Sequence, residues 1–511
     1  MRLMPWAALP ALLAALLVPS GAVLSGSGPP TEVGFGMDPV ARAFLLPAAL
    51  LWGLAGWFAD RWIAGAERRA LFAGFWLAAM AGNLGLILAQ DLLAFYTCFA
   101  LMTFAAYGLV IHEGTDRALR AGRLYLAMMV VGETCLFTAV ALAAVSAVGP
   151  RLEFAGMAGT PLAMALFAAG FGMKLGVLGL HGWLPVAHPV APVPASAVLG
   201  GAMIKAGLLG WWRVASPESA ELTAWGLPLV GLGLAAAFYG IFMGLPERDP
   251  KTVLAWSSIS QMGLATLLAG VAVLEPRAGP VAWTGLAVLV LHHGLAKGAL
   301  FLGVGVMATA GGSSRRLAWV ILWWPALALA GAPGTSGALA KTALDLAVAQ
   351  TVHGSWIGPA LSLGAVATTL LMARFLYLAW TIQPDPRPEG ERGIWEAWGV
   401  LIVLLLGVPW FWSVERIVAQ AFSLDAIAAA LWPPALGLLL AGVAWRLWPR
   451  LPRRPGWPAR VPGTRPRGRA FPALPLALSR LEQRLHRWPV VGRTVMIVTL
   501  LLVAALWRAN A

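Results

Sequence analysis

Apolar runs of 18 or more residues alternate with short polar breaks from one end of the chain to the other. A helix rises about 1.5 Å per residue, so each such run can cross the ~30 Å hydrocarbon core of a bilayer. The runs lie near residues 6–25, 40–58, 71–90, 91–112, 122–148, 158–182, 193–212, 226–244, 251–273, 281–309, 318–345, 357–381, 395–413, 427–447 and 491–507. They predict an all-α polytopic membrane protein with about 14–15 transmembrane helices. Basic residues in the breaks set an orientation. Arg61, Arg68 and Arg69 fall on one side, with Arg117, Arg120 and Arg123, then Arg248 and Lys251, then Arg315 and Arg316. The stretches 382–393 and 446–488 fall there too, whereas the intervening loops hold single arginines such as Arg151, Arg213 and Arg277. With an odd number of helices, this pattern predicts a multi-pass protein of the cell inner membrane with a cytoplasmic N-terminus and the C-terminus outside. Arg2 ahead of the first apolar run resembles the start of a secretion signal. An ordinary first helix is the simpler reading.

Composition narrows the class. The chain has 511 residues, of which 59% are apolar and 11% charged. A soluble domain carries about 25% charge, so no sizeable soluble domain is present. Two cysteines, Cys98 and Cys135, stand far apart and form no C-x-x-C pair. That excludes four-cysteine zinc or iron–sulfur sites; a disulfide stays open. Lys and Arg number 36, but only five are Lys. Lys251 sits in a polar loop; Lys174, Lys205, Lys297 and Lys341 lie within or at the edges of apolar stretches. Arg keeps its proton under essentially all conditions, whereas a desolvated Lys can give it up. The chain therefore places Arg at the membrane surface and Lys in the interior, which suggests proton handling. Residues 446–488 hold eleven Arg against Glu482, ten of the fourteen net positive charges. Prolines run through this stretch, so it reads as a clamp on anionic lipid or an acidic partner subunit, or as a topology anchor. Tethered between two membrane helices, it is not a nucleic-acid site.

Ionisable groups inside a membrane are costly and mark candidate functional positions. They are Glu133, Lys174, His181, Lys205, His292, His293, Lys297, Lys341, Asp345 and Arg374. Helical spacing puts Lys174 with His181, His293 with Lys297, and Lys341 with Asp345 on common faces; the last two can pair. Asp345 and Arg374 also read as structural pairs near helix ends. Two runs carry helix breakers at membrane depth. One is Gly179-Leu-His-Gly-Trp-Leu-Pro185, continuing through His188 to Pro194; the other is Gly331-Ala-Pro-Gly-Thr-Ser-Gly337, leading to Lys341. Irregular backbone is tolerated there only where it lines a polar cavity, and paired broken helices mark ion sites in transporters. There is no P-loop, and Gly170-Phe171-Gly172 lacks the third glycine of a dinucleotide fold, so no cofactor is expected. A haem held by His181 with His292 or His293 is a cytochrome-type alternative that lacks repeated His spacing.

The run FGMKLGVLGLHGWLPVAHPVAPVPASAVLGGAMIKAG (171–207) resembles the antiporter-like subunits of respiratory complex I, membrane-bound hydrogenases and Mrp-type cation/proton antiporters. So do DPKTVLAWSSISQMG (249–263), LHHGLAKGALFLGVG (291–305) and GAPGTSGALAK (331–341). The wording is closest to hydrogenase and Mrp members, and order and spacing agree from Met37 to Arg374. The resemblance implies two inverted five-helix repeats with broken helices, each holding a half-channel, joined by a buried chain of Lys, His, Glu and water. It implies residues 1–70 as N-terminal helices, 71–245 and 246–381 as the two half-channels, and 382–448 as C-terminal helices. A basic Pro/Arg-rich segment at 449–490 and a terminal helix at 491–511 complete the chain. Lys174, Lys205, His293, Lys297 and Lys341 match the family's path residues; Glu133, His181 and His292 complete the candidate proton path. The resemblance thus implies a proton-translocating subunit, moving protons or exchanging sodium for them, without a catalytic centre of its own. Its partners would be other membrane subunits, a peripheral redox module of the NADH dehydrogenase or hydrogenase type, and the lipid bilayer. A subunit of a cation/proton antiporter, or a non-pumping scaffold, are the alternatives. Three departures stand out. DLLAFYTCFALM (91–102) places Ala100 where the family has a glutamate, making Glu133 a candidate replacement; Gly179 stands in place of a proline; and the family's first helix is absent.

Overall fold

Breaker residues, more than apolar length, decide where the helices stop. The computed structural model describes residues 4–26, 32–146, 152–154, 161–214, 220–384 and 391–447. All of these except Gly26 and Glu32 belong to one unit. The first apolar run does not become a spanning helix. Helix α1 (Leu9–Leu17) has nine residues, and strands β1 (Val23–Gly26) and β2 (Val33–Gly36) pair in a two-stranded sheet behind it. At about 1.5 Å per residue, α1 covers less than half of a bilayer. Pro19 and Gly21, the latter at φ +97°, end the run that hydrophobicity alone would continue. The cytoplasmic N-terminus expected from an odd helix count needed a span at 6–25 and loses its support.

Asp38 then caps helix α2 (Pro39–Trp62), its carboxylate accepting from Ala41 N–H at 2.7 Å. Helix α3 (Arg69–Leu88) leads to α4 (Leu92–Val110), capped by buried Asp91, which accepts from the N–H groups of Ala94 and of Gly34 in β2. Helix α5 (Asp116–Ser146) precedes a broken element made of α6 (Pro161–Leu175) and the short α7 (Leu184–Ala187). The next span is composite: α8 (Val193–Val198), a π-helical turn (Leu199–Met203) and α9 (Lys205–Val214). Then come α10 (Ala220–Gly244), α11 (Pro250–Leu274) and the long α12 (Gly279–Thr309). The apolar run at 318–345 splits into α13 (Gly312–Leu329) and α14 (Ser336–Val348). Helices α15 (Gly354–Thr381), α16 (Glu391–Trp412), α17 (Glu415–Ala421) and α18 (Leu424–Leu447) close the described chain. The basic segment at 449–490 and the helix expected at 491–507 lie outside the described residues.

Eleven helices among the described residues are long and apolar enough to cross a membrane. The chain is an all-α polytopic membrane protein. Burial orders the bundle: the most apolar window of Val193–Val214 is 100% buried and that of α12 is 94% buried, against 22% for α18. A helix apolar all round and buried all round is a core helix, so the composite span and α12 form the centre. They meet at small residues, since a side chain at Gly201 would come within 3.0 Å of the Gly294 carbonyl.

Candidate functional site

Each broken element is built on two left-handed glycines, at φ +75° and +92° for Gly176 and Gly179, and at +75° and +73° for Gly331 and Gly334. Such backbone favours glycine. Proline, with φ fixed near −65°, has no access to the conformation of Gly179. Each break keeps a lysine beside it. Lys174 is the penultimate residue of α6, and Lys341 lies on the first turns of α14. Gly337 makes the second break as tight as it is, because a Cβ there would sit 1.7 Å from the Ala328 carbonyl oxygen. Gly337→Ala is expected to displace α13 from α14, at a cost of about 3 kcal/mol or more. Thermal melting of the detergent-solubilised chain would read this as a lowered midpoint, and an unchanged midpoint would contradict the packing.

Lys174 is 1% exposed. Its ammonium lies 3.3 Å from the Tyr125 hydroxyl and 3.4 Å from Thr103 Oγ1. The rings of Phe99, Tyr125 and Trp183 stand 5.7–6.0 Å from Nζ, close enough for cation–π attraction. Tyr125 spends its own proton on the Thr103 carbonyl at 3.0 Å, so toward Lys174 its oxygen is an acceptor. Glu133, two turns further along α5, is buried and interacts electrostatically with Lys174. Neither carboxylate oxygen makes a hydrogen bond among the described residues. Thr103 lies beside both groups, its Oγ1 3.4 Å from Lys174 Nζ and its side chain near the Glu133 carboxylate without a hydrogen bond of ordinary geometry. His181 does not share a helix face with Lys174, because α6 ends at Leu175. It lies in the break with Nδ1 accepting from Gly179 N–H, its ring against Tyr239 at 5.3 Å and Trp256 at 5.7 Å.

Among the described residues, no acid acts on the lysines and histidine at the centre, Lys205, His293 and Lys297. Lys205 opens α9 and donates to the Gly201 carbonyl across the π-helical turn. His293 and Lys297 share a face of α12 as their spacing predicts, and both are fully buried. Lys297 donates to the Leu254 carbonyl at 2.7 Å, while neither His293 nitrogen has a hydrogen-bond partner among the described residues. The charged groups that act on His293 are Lys205, Lys297 and His292. His292 pairs through Nδ1 with Ser336 Oγ at 2.9 Å, which ties α12 to the start of α14. Lys341 and Asp345 form the expected ion pair at 2.7 Å. Lys341 and His292 both border a partly open pocket of about 60 Å³ between α11, α14 and α15. Arg374 is a strut near a helix end, donating to the Glu247 carbonyl at 2.8 Å and 3.2 Å.

Two residues escaped the reading of the sequence. His188 is wholly buried, stacks on Phe301 at 4.7 Å, and has no hydrogen bond on either ring nitrogen among the described residues. It interacts electrostatically with Lys297 and Lys251. Lys251 is not a loop residue: Asp249 caps α11 through Thr252 N–H, and Lys251 Nζ donates to the Ala191 carbonyl at 2.6 Å. Its other charged neighbours are Asp249, Glu113 and Arg117. The AHP and DPK signals were present in the motifs, but flanking prolines made both read as loop. Cys98 and Cys135 are free, and no group of three His, Cys, Asp or Glu among the described residues is placed to hold a metal ion.

The family described as "NADH:quinone oxidoreductase/Mrp antiporter, TM" matches residues 89–368, more than half of the chain. The chain belongs to this family. Hydrogenase-4 component B of Escherichia coli is 31% identical over 281 residues, 50% of this chain and 41% of that protein. The chain therefore spans less than half of that relative's length. NADH-quinone oxidoreductase subunit N of Desulforudis audaxviator is 28% identical over 401 residues, 72% of this chain and 77% of that one. Among solved structures, a chain of the Mrp complex from a Dietzia species has the same fold, with a TM-score of 0.72 at 23% identity. That match covers 100% of this chain and 60% of the other. Ala100 stands one turn before Thr103 on α4, beside Phe99 whose ring faces Lys174. The carboxylate that acts on Lys174 is Glu133, on the neighbouring helix α5.

Proposed function

We propose that this chain is the proton-translocating membrane subunit of a multi-subunit, redox-driven complex, moving protons, or protons against sodium, along a buried chain of side chains. The observation that carries the reading is Lys174. It is a lysine buried at a helix break, with two hydroxyl neighbours and an electrostatic link to Glu133, and a buried cation is retained where function needs it. The path runs from Glu133 and Lys174 to Lys205, on to His293 and Lys297, and out past His292 to Lys341. His188 and Lys251 connect Lys297 to the side with the basic loops, and His181 lies at the mouth of the first break. Residues 71–245 and 246–381 are the two half-channels, related as inverted five-helix repeats. The basic loops face the cytoplasm. Because α2 is the first described helix long enough to cross, residues 4–38 then lie on the opposite face. Other membrane subunits and a peripheral redox module would supply the driving reaction.

Lys297→Met tests the second half of the path. In sealed vesicles carrying the assembled complex, turnover against a proton gradient is expected to fall to about a tenth or less, the effect of losing one relay in series. Uncoupled vesicles should recover much of the rate. Wild-type turnover in the sealed vesicles would reduce this half to a structural role.

A further inference from the structure

Helix α11 carries a run of polar groups on the face that receives Lys297. The Leu254 carbonyl takes the Lys297 ammonium at 2.7 Å. Ser257, next along that face, is buried, and its hydroxyl has no hydrogen-bond partner among the described residues. Gln261 follows four residues later, one turn further on the same side of the helix. It is 3% exposed, and its amide makes no hydrogen bond within the described chain. Ser260 beside it is buried and equally without a partner there. Gln261 and Ser260 both line the pocket that His292 and Lys341 border. At about 60 Å³, the pocket has room for about four waters at roughly 15 Å³ each. Leu329, in the last turn of α13, lines it too, and Pro333, four residues on, has no N–H to give the Leu329 carbonyl. A buried amide with two donors and an acceptor, unpartnered in such a pocket, is a group that binds water.

We infer that Gln261 holds a short chain of waters in this pocket, and that these waters carry the proton from His292 to Lys341. The hydrogen bonds already made fix which atoms exchange. Ser336 Oγ occupies Nδ1 of His292 at 2.9 Å, so Nε2 is the nitrogen left for water. Lys341 gives one N–H to Asp345 and has two others to offer. Once Lys341 has released its own proton, the His292 imidazolium passes its Nε2 proton to the first water, and the last water passes one to the lysine nitrogen. The products are a neutral imidazole and the ammonium that pairs with Asp345, and no water is consumed. An amide suits this place for two reasons. It both donates and accepts, so it holds a water whichever way the hydrogen bonds of the chain point. It does not titrate, so it cannot trap the proton. Gln261 gains and loses no proton itself; it is a positioning residue, and the Ser260 hydroxyl is a second group of the same kind.

The inference rests on the transport reading above, and its test separates the two. Cryo-electron microscopy of the assembled complex, at a resolution that shows waters, should find ordered waters between His292 and Lys341, one of them hydrogen-bonded to the Gln261 amide. In Gln261→Met, which keeps the length of the side chain and removes the amide, that water should be lost while the Lys341–Asp345 pair persists. Turnover of Gln261→Met in sealed vesicles should fall about tenfold, and its ratio of rates in H₂O and D₂O should rise about twofold as the handover becomes the slow step. Gln261→His, which again offers a donor and an acceptor, should recover most of the rate. A packing role alone predicts neither the isotope effect nor this rescue. A dry pocket, or one filled by an acyl chain, in a complex that moves protons overturns the inference alone, as does a wild-type rate in Gln261→Met. A complex that holds the waters and moves no protons refutes the transport reading, and the handover with it.

Discussion

Lys174→Met is expected to abolish proton uptake by vesicles carrying the assembled complex, while insertion and assembly persist. Methionine matches the length of the lysine stem and suits an apolar site. The hydrogen bond from Tyr125 to the Thr103 carbonyl does not involve Lys174 and can survive. Removing a buried cation also ends its desolvation cost, so the fold should not suffer as it would from a lost core contact. On the proposed path, the variant loses only the group that would take a proton from one side of the break and yield it on the other. Lys174→Arg should fail as fully: a guanidinium keeps its charge at any accessible pH and cannot hand the proton on. The aromatic cage of Phe99, Tyr125 and Trp183 would still hold it. The two variants together separate charge from proton exchange. Dye-quench measurements of vesicle acidification, with native gels for assembly, provide the check. Wild-type acidification by either variant would remove Lys174 from the path.

How far the sequence disclosed this arrangement depends on what kind of signal each residue gives. Helices α11 and α12 were legible because long apolar runs bounded by Asp-Pro and Gly-Pro have few alternatives. Both breaks were legible because Gly and Pro at membrane depth leave backbone groups that only a polar interior can satisfy. The run at 6–25 misled because a hydropathy window counts side chains and takes no account of Pro19 and Gly21, which stop α1 after nine residues. The pairing of Lys174 with His181 misled for the same reason: i to i+7 spacing has meaning only while the helix continues. Tyr125 and Thr103 could not be found at all, since an uncharged hydroxyl in an apolar run has no periodicity that marks it. Lys341 and Asp345 were found because they are four apart on one helix, the spacing at which a pair needs no tertiary information.

Glu133→Gln is expected to stop ion movement, and adding Ala100→Glu to it should restore a measurable part. Charge and placement both lead to this expectation. A lysine that alternates between protonated and neutral states needs a carboxylate close by to bias it, and Glu133 is the acid that acts on Lys174. It can do so from α5 because Thr103 of α4 stands where both side chains converge. Glutamine keeps the shape and the hydrogen-bonding capacity of Glu133 and removes only the charge, so a loss of transport without loss of assembly assigns the effect to that charge. Ala100 lies one turn from Thr103 and next to Phe99 on the helix that lines the other side of Lys174. A glutamate there would approach the same ammonium from α4 instead of α5. Ala100 is half-buried, so the larger side chain has room to enter without displacing a filled core position. Recovery should be partial, because the new carboxylate adds desolvation cost without a hydrogen-bonding site shaped to receive it. Acidification rates of the two variants against wild type, at equal assembly, decide the matter. Normal pumping by Glu133→Gln alone would show that the lysine is biased by some other group, and would strengthen the reading of this chain as a scaffold.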